Sequence, residues 1–275
     1  MTEGLAEIGF GCHNGVTRLV HLHQRDPLRV LFPAPAAGDP VLGVIVTTSG
    51  GLVAGDRLDI AVGLAKGATA HVTASAAEKI YRSTGATTTI HQSLSVEAGA
   101  ALEFLPLETI LFDGARLQRE TTIDLAPGAG FLGGDILVFG RRARGERFTK
   151  GFLREVWQVR RDGSLVWGDA VHLEDDIAEI IDHPACFDGA AAFATLVLAP
   201  FGRNPRGFLD SARALQSIGA AEGLRSGVTA IAGLVIARWL AADAAVLRDA
   251  YVDLACHFRR EALALEPCLP RLWHA

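Results

Sequence analysis

The stretch Val62-Gly-Leu-Ala-Lys-Gly-Ala-Thr-Ala70 returns twice, as Leu94-Ser-Val-Glu-Ala-Gly-Ala-Ala-Leu-Glu-Phe104 and as Ile123-Asp-Leu-Ala-Pro-Gly-Ala-Gly-Phe131. In each unit apolar residues alternate, a short reversal closes on a glycine and an alanine, and a second alternating run follows. The turn glycines Gly67, Gly99 and Gly128 stand 32 and then 29 residues apart. Alternation with period two reads as half-buried strand, and glycine supplies the positive φ or close approach that a tight reversal needs. One such unit has an apolar face that it cannot cover alone, so successive units are expected to stack and share a core, as in a β-helix or a layered sandwich. A generic antiparallel sandwich produces the same spacing.

Outward from the repeats, further strands are expected at Val16–His23, Leu28–Phe32, Val41–Thr47, Phe152–Arg160, Leu165–Leu173 and Ala192–Leu198. Helical periodicity comes late. Asp243 can cap a helix on which Val246, Leu247, Ala250, Tyr251, Leu254 and Phe258 fall on one stripe, and Gly207–Ser217 reads as a shorter helix. Gly227–Leu240 is ambiguous, with Leu234–Arg238 β-branched enough for a buried strand. The expected fold is mainly β: stacked β-helix-like or layered antiparallel sheets with a small C-terminal helical pair. Residues 1–203 would form the β-rich stack. Residues 204–275 would add a helical extension, one buried strand and a tail without regular structure from Pro267 onward.

Composition narrows the function classes. The chain has 275 residues, 49% of them apolar, with 30 glycines, 11 prolines and a net charge of −5. Such a balance disfavours nucleic acid and acidic membrane surfaces as partners. The start, Met1 to Gly15, lacks a basic region followed by a long apolar run, and the longest uncharged stretch, Gly189–Gly202, is too short to cross a bilayer. Cys12, Cys186, Cys256 and Cys268 form no Cys-x-x-Cys pair. A soluble protein of a reducing cytoplasm is expected, and its high apolar content suggests association when it is alone.

Catalytic motifs are sparse. His21-x-His23 would point two imidazoles to one face of a strand about 7 Å apart, and with Gly15 it matches the opening of a cupin metal signature. The match fails after it, where Gln24-Arg25-Asp26-Pro27 follows, so a cupin-like metal-dependent oxygenase is the alternative rather than the main reading. Gly50 to Gly55 has Walker A spacing, but Asp56-Arg57 stands where Lys-Ser/Thr belongs, and a carboxylate there repels phosphate. Carboxylates do recur beside strands and turns: Asp56, Glu78, Glu103, Glu108, Asp113, Asp135, Glu146 and Asp169. Buried acids must be paired or face a wet cavity, and Arg82, Arg116, Arg141 and Arg142 are the expected partners.

Four segments in order carry a resemblance: Thr47–Leu58 (TTSGGLVAGDRL), Ala76–Ser83 (AAEKIYRS), Glu103–Ala115 (EFLPLETILFDGA) and Phe139–Glu146 (FGRRARGE). With the ending Leu269-Pro-Arg-Leu-Trp273, they resemble the urease accessory protein family UreD, also called UreH. The resemblance implies a β-rich stack with a small helical pair and a role without catalysis. It further implies a complex with the helical accessory protein UreF and the GTPase UreG, docking on apo-urease, and help in placing two nickel ions at a carbamylated lysine. No tightly bound cofactor is expected, only nickel in transit. Three departures stand out: Gly133 and Gly134 where the family often has an acid and a tryptophan, Leu107 for glutamine, and Arg142 for proline.

Ni²⁺ accepts carboxylate, imidazole and water, and a transit route must release what it binds, so scattered acids suit it better than a closed cage. Asp56, Asp135 and Asp169 are the expected stations. Tyr251, Phe258, Arg271 and Trp273 are the expected partner-binding residues, since amphipathic helices and a terminal aromatic are natural anchors.

Overall fold

The three repeat units lie directly on one another. Val62, Leu94 and Ile123 are successive neighbours in one sheet, and Ala70, Leu102 and Phe131 are successive neighbours in the other. The turn glycines Gly67, Gly99 and Gly128 have φ of 73°, 69° and 72°. Each turn is closed by a backbone bond from the following alanine, as in Ala68 N–H to the Ala65 carbonyl, which places the glycine where a type II reversal requires positive φ.

The computed structural model describes residues 1–219 and 221–274. The chain begins with β1 (Glu3–His13), β2 (Val16–Arg25), β3 (Leu28–Leu31) and β4 (Val41–Thr47). The stacked coils follow: β5 (Arg57–Leu64), β6 (Thr69–Ala74) and the short β7 (Glu78–Ile80), then β8 (Thr88–Val96), β9 (Ala101–Leu105) and the short β10 (Thr109–Leu111), then β11 (Arg116–Leu125) and β12 (Gly130–Phe139). Next come β13 (Phe152–Arg161), β14 (Ser164–Glu174), α1 (Ile177–Asp182) and β15 (Ala192–Pro200). The chain closes with α2 (Arg206–Ile218), β16 (Leu224–Ile231), β17 (Leu234–Ala241) and α3 (Ala244–Leu263).

One sheet runs β14-β13-β11-β8-β5-β1-β2; the other runs β16-β17-β15-β12-β9-β6-β4-β3. The stacked middle is parallel, β5 with β8 and β11 in one sheet and β6 with β9 and β12 in the other. Antiparallel pairing is confined to the margins, where hairpins such as β1/β2 and β13/β14 end the stack. The fold is thus mainly β and solenoid-like, with both expected styles of pairing in different places.

Two cores share the larger sheet. Its inner face packs against the smaller sheet through Phe10, Val62, Leu94, Phe104, Ile123 and Phe131. Its outer face is covered by α3 through Leu247, Tyr251, Leu254 and Phe258. Asp243 caps α3, its Oδ1 accepting from Ala245 N–H at 2.8 Å. Each fully buried Leu or Phe contributes about 1.5–3 kcal/mol, so docking rather than intrinsic propensity holds this helix. Residues 224–241 supply two strands, not the single one expected. The additional strand is β16, an edge strand on which only Val228 is buried, so it leaves little hydrophobic pattern to read. Six-residue α1 was also not expected, and the tail holds a single 3-10 turn, Arg271–His274. No described helix is long and apolar enough to cross a membrane.

Candidate functional site

The four motif segments meet at one corner of the stack. Leu52 bridges Ile80, Ile80 pairs with Leu111, and Leu111 pairs with Phe139, so each coil contributes one rung. All four side chains are buried. Outside this ladder lies a polar and aromatic ridge. The Tyr81 hydroxyl donates to the Gly50 carbonyl at 3.1 Å, and its ring meets Phe112 edge to face at 4.9 Å. Arg141 stacks over Phe112 at 4.1 Å while donating to Glu146. Gly51 allows the ridge to form, because a Cβ there would stand 2.5 Å from the Tyr81 ring.

Asp113 ties the ridge to the next loop by accepting from the Thr149 amide and hydroxyl and from the Lys150 amide. Burial would raise its pKa, but these donors outweigh that and hold the carboxyl below its ordinary value. The Arg141 hydrogen bond likewise lowers Glu146.

Behind the ladder, between the sheets, is a cavity of about 140 Å³ with a mixed lining that includes Thr47, Thr73, Glu78, Gln92, Thr109 and Arg119. Burial pushes the Glu78 carboxyl up even though Thr47 donates its hydroxyl to it at 2.5 Å. Arg119 closes one wall. Its Nε donates to both Glu155 oxygens at 2.9 and 2.8 Å, Nη1 to the Thr109 hydroxyl at 2.8 Å, and Nη2 to Asp135 at 2.6 Å. Two carboxylates share one guanidinium, and all three residues are buried. Burial pushes Glu155 up to about 8 and raises Asp135 as well, against the pull of Arg119.

The three expected stations fall in different settings. Asp135 belongs to the Arg119 cluster. Asp169 lies at the margin of the same inter-sheet layer, paired with Arg238 at 2.6 Å. Thr195 joins the two settings, since it is the register neighbour of Asp135 on one side and of Arg238 on the other. Asp56 is apart from both. It caps the turn before β5, accepting from the Thr2 amide at 2.8 Å and the Val53 amide at 3.0 Å. Burial opposes its ionisation, but these amide bonds prevail and its pKa is lowered.

Of the expected arginine partners, Arg82 and Arg141 do pair with carboxylates of the expected set, Asp113 and Glu146, whereas Arg116 pairs with Glu174 and Asp135 takes the unexpected Arg119. The signal was present in phase rather than in motif: Leu117, Arg119, Thr121 and Ile123 share the inward phase of β11, as Leu153, Glu155, Trp157 and Val159 do on β13. A charged residue inside such a phase is a buried charge in need of a partner.

The expected partner-binding residues differ in burial. Tyr251, Phe258 and Trp273 are covered by this chain's own residues, and Arg271 alone of the four is exposed. Tyr251 and Trp273 stack at 5.7 Å with 12° between planes. Arg248 donates to the Trp273 carbonyl at 2.7 Å and pairs with Glu108, which ties the tail to the third motif. Gly134 makes room for this packing, since a Cβ there would lie 2.6 Å from the Tyr251 hydroxyl and 2.1 Å from the Thr195 carbonyl. Gly133 is filled the same way from the inner face by the Phe131 ring. A second buried network runs from His71 to Glu103 at 3.0 Å, from Glu103 to Arg259 at 2.9 Å and from Arg259 to Asp39 at 2.7 Å, fastening α3 to the stack.

Fold and site together define a stacked-β scaffold with an arginine-neutralised polar interior and a helical layer on one face. Residues 2–274 match the family described as UreD urease accessory protein. Relatives of that description include those of Magnetococcus marinus, 43% identical over 98% of this chain and 93% of its own length, and Azorhizobium caulinodans, 41% identical over 98% and 95%. One from a Methylobacterium strain is 40% identical over 99% and 94%. The chain belongs to the UreD family of urease accessory proteins. The cupin-like alternative falls with this assignment and with the parallel stack.

Proposed function

We propose that this protein is a non-catalytic urease maturation scaffold that docks on apo-urease and, with UreF and the GTPase UreG, assists GTP-dependent nickel insertion in the cytoplasm. The observation that carries the reading is the convergence of all four motif segments on one corner ladder, backed by a cavity that ends on Arg119. Nickel is cargo in this scheme, held weakly and passed on, and no tightly bound cofactor is required. Asp135 and Asp169 are proposed as stations in the inter-sheet layer, with Asp56 at the entrance turn. Each carboxylate already has a cation or amide donors, so an incoming ion competes for it and binds weakly.

The surface proposed for UreF is the groove between α2 and α3 together with Arg271. Leu215, Ile218, Ala250, Asp249 and Asp253 line that groove, and Ile218 is 84% exposed. The test is coexpression with the urease subunits and both partners, followed by pull-down on this chain and measurement of nickel per active site under limiting nickel. Wild type should retain the partners. Asp56→Asn/Asp169→Asn should retain them too while lowering nickel content several-fold. Normal nickel content in that variant would remove the path, and loss of all partners from wild type would remove the scaffold. Asp135 is left out because Asn there leaves Arg119 with one anion fewer in a buried site.

A further inference from the structure

Among the described residues the four cysteines are free thiols, and the tail after α3 brings one of them back to another. Ala264 takes a left-handed φ of 55°, and the Leu265 amide donates to the Arg259 carbonyl, so the chain reverses where the helix ends. It then runs antiparallel along α3. Further along, Trp273 stacks on Tyr251 at 5.7 Å, and Arg248 donates to the Trp273 carbonyl at 2.7 Å. Between these points the Leu269 amide lies against the Cys256 sulfur, and the Cys256 and Cys268 thiols are within each other's electrostatic reach. The two contacts agree in register, because Cys256 follows Tyr251 on the helix by the same number of residues as Cys268 precedes Trp273 on the tail. Cys256 is half-buried and Cys268 exposed.

We propose that Cys256 and Cys268 form a reversible thiol–disulfide site, oxidised by a low-molecular-weight disulfide such as glutathione disulfide, that staples the tail to α3. The Cα of Cys268 is about 2.5 Å from the Leu269 nitrogen across the peptide bond, so the Cys268 backbone stands beside the Cys256 sulfur. The exposed Cys268 side chain then has only to turn about χ1 for the two sulfurs to meet. Cys12 lies on β1 and Cys186 in the turn after α1, and these two serve as internal controls. The site is separate from the Arg119 cluster and needs neither partner nor metal.

The chemistry takes two exchanges. The exposed Cys268 thiolate attacks one sulfur of glutathione disulfide; that S–S bond breaks, a mixed disulfide forms and one glutathione thiolate leaves. Cys256 then gives its proton to solvent and attacks the Cys268 sulfur, and the second glutathione thiolate leaves. Two protein thiols are oxidised, and one glutathione disulfide is reduced to two glutathiones. The second exchange is the slow one. Burial pushes the Cys256 thiol up to about 11, with Cys268 and Asp253 acting in the same direction and Arg259 and the Leu269 amide against it. Only about one Cys256 in 10⁴ is therefore thiolate at pH 7, and closure should speed up about tenfold per pH unit towards pH 9.

The test is incubation of the full chain, alone or in the coexpressed complex, with glutathione disulfide at pH 7 and at pH 9, then acid quenching, alkylation and peptide mass mapping without reductant. A linked Cys256–Cys268 peptide, two hydrogens lighter than its separate parts, is expected at pH 9, while the Cys268 mixed disulfide prevails early at pH 7. Dithiothreitol should restore both thiols. Cys256→Ser should stop at the mixed disulfide at either pH, Cys268→Ser should form neither product, and Cys12→Ser/Cys186→Ser should behave as wild type, each with unchanged circular dichroism. The oxidised chain should unfold at a higher urea midpoint than the reduced chain, since the closed loop restricts the unfolded ensemble. A wild-type chain that stays at the mixed disulfide at pH 9, or that links Cys256 to Cys12 or Cys186 as readily as to Cys268, would overturn the proposal, as would an unchanged midpoint in the fully linked chain.

Discussion

Arg119 faces two carboxylates with a single positive charge, and this ratio makes the interior sensitive to protons. Glu155 is pushed up to about 8 by burial, whereas a glutamate of the unfolded chain titrates at about 4.3. The folded protein therefore holds a proton across this interval that the unfolded chain has released. Its contribution to stability is full below about pH 4 and is lost as pH rises through about 8. Glu155→Gln keeps a neutral side chain of similar size at all pH. Urea unfolding at pH 5.5 and 8.5 should show wild type losing on the order of 1–3 kcal/mol more than the variant between the two conditions. Parallel behaviour would mean that Arg119 keeps both acids ionised. The pair His21 and His23 was visible in the sequence, but its carboxylate partner, Glu7, came from the neighbouring strand.

Among the elements, the repeats were legible because stacking repeats the same demand on each coil, an inward apolar phase and a glycine at the reversal. Strand β16 was not, because an edge strand with one buried residue is under little hydrophobic selection of phase. The late helix was read correctly as to its cap and stripe. What it packs on was not: the stripe and the terminal Trp273 meet each other over the larger sheet. Trp273→Ala should therefore lower stability by about 3–5 kcal/mol, the cost of emptying a buried aromatic site, as measured by denaturant unfolding. A variant as stable as wild type would place Trp273 outside the core and restore it as a partner anchor. Ile218 and Arg271 are exposed.

For the whole molecule, a stack closed by hairpins still has open ends. Val16, Val20 and Leu22 are exposed on β2 and Leu31 on β3 at one end, with Leu165 on β14 and Ile231 at the end of β16 at the other. Exposed apolar edge strands are templates for association. The isolated chain should form concentration-dependent oligomers in light scattering, and Val20→Lys should shift them toward monomer, since a charge on an edge blocks pairing. A monodisperse wild-type monomer at high concentration would show that these edges are already guarded.

The repeat spacing, the strand phases, the capped helix and the ordered motifs were all present in the sequence, because each depends on residues close together along the chain. They determined a mainly β stack and a family. Which charges meet depended on segments well separated along the chain being packed together: Arg119 with Asp135 and Glu155, Glu103 with Arg259 on α3, and the four motif segments in one ladder. Burial of Tyr251, Phe258 and Trp273 was decided in the same way, by the sheet beneath them and the glycine at 134. Local pattern specifies a strand and the face it will bury, while the neighbour it finds there is set by the packing of distant segments, where unpaired charge is too costly to leave alone.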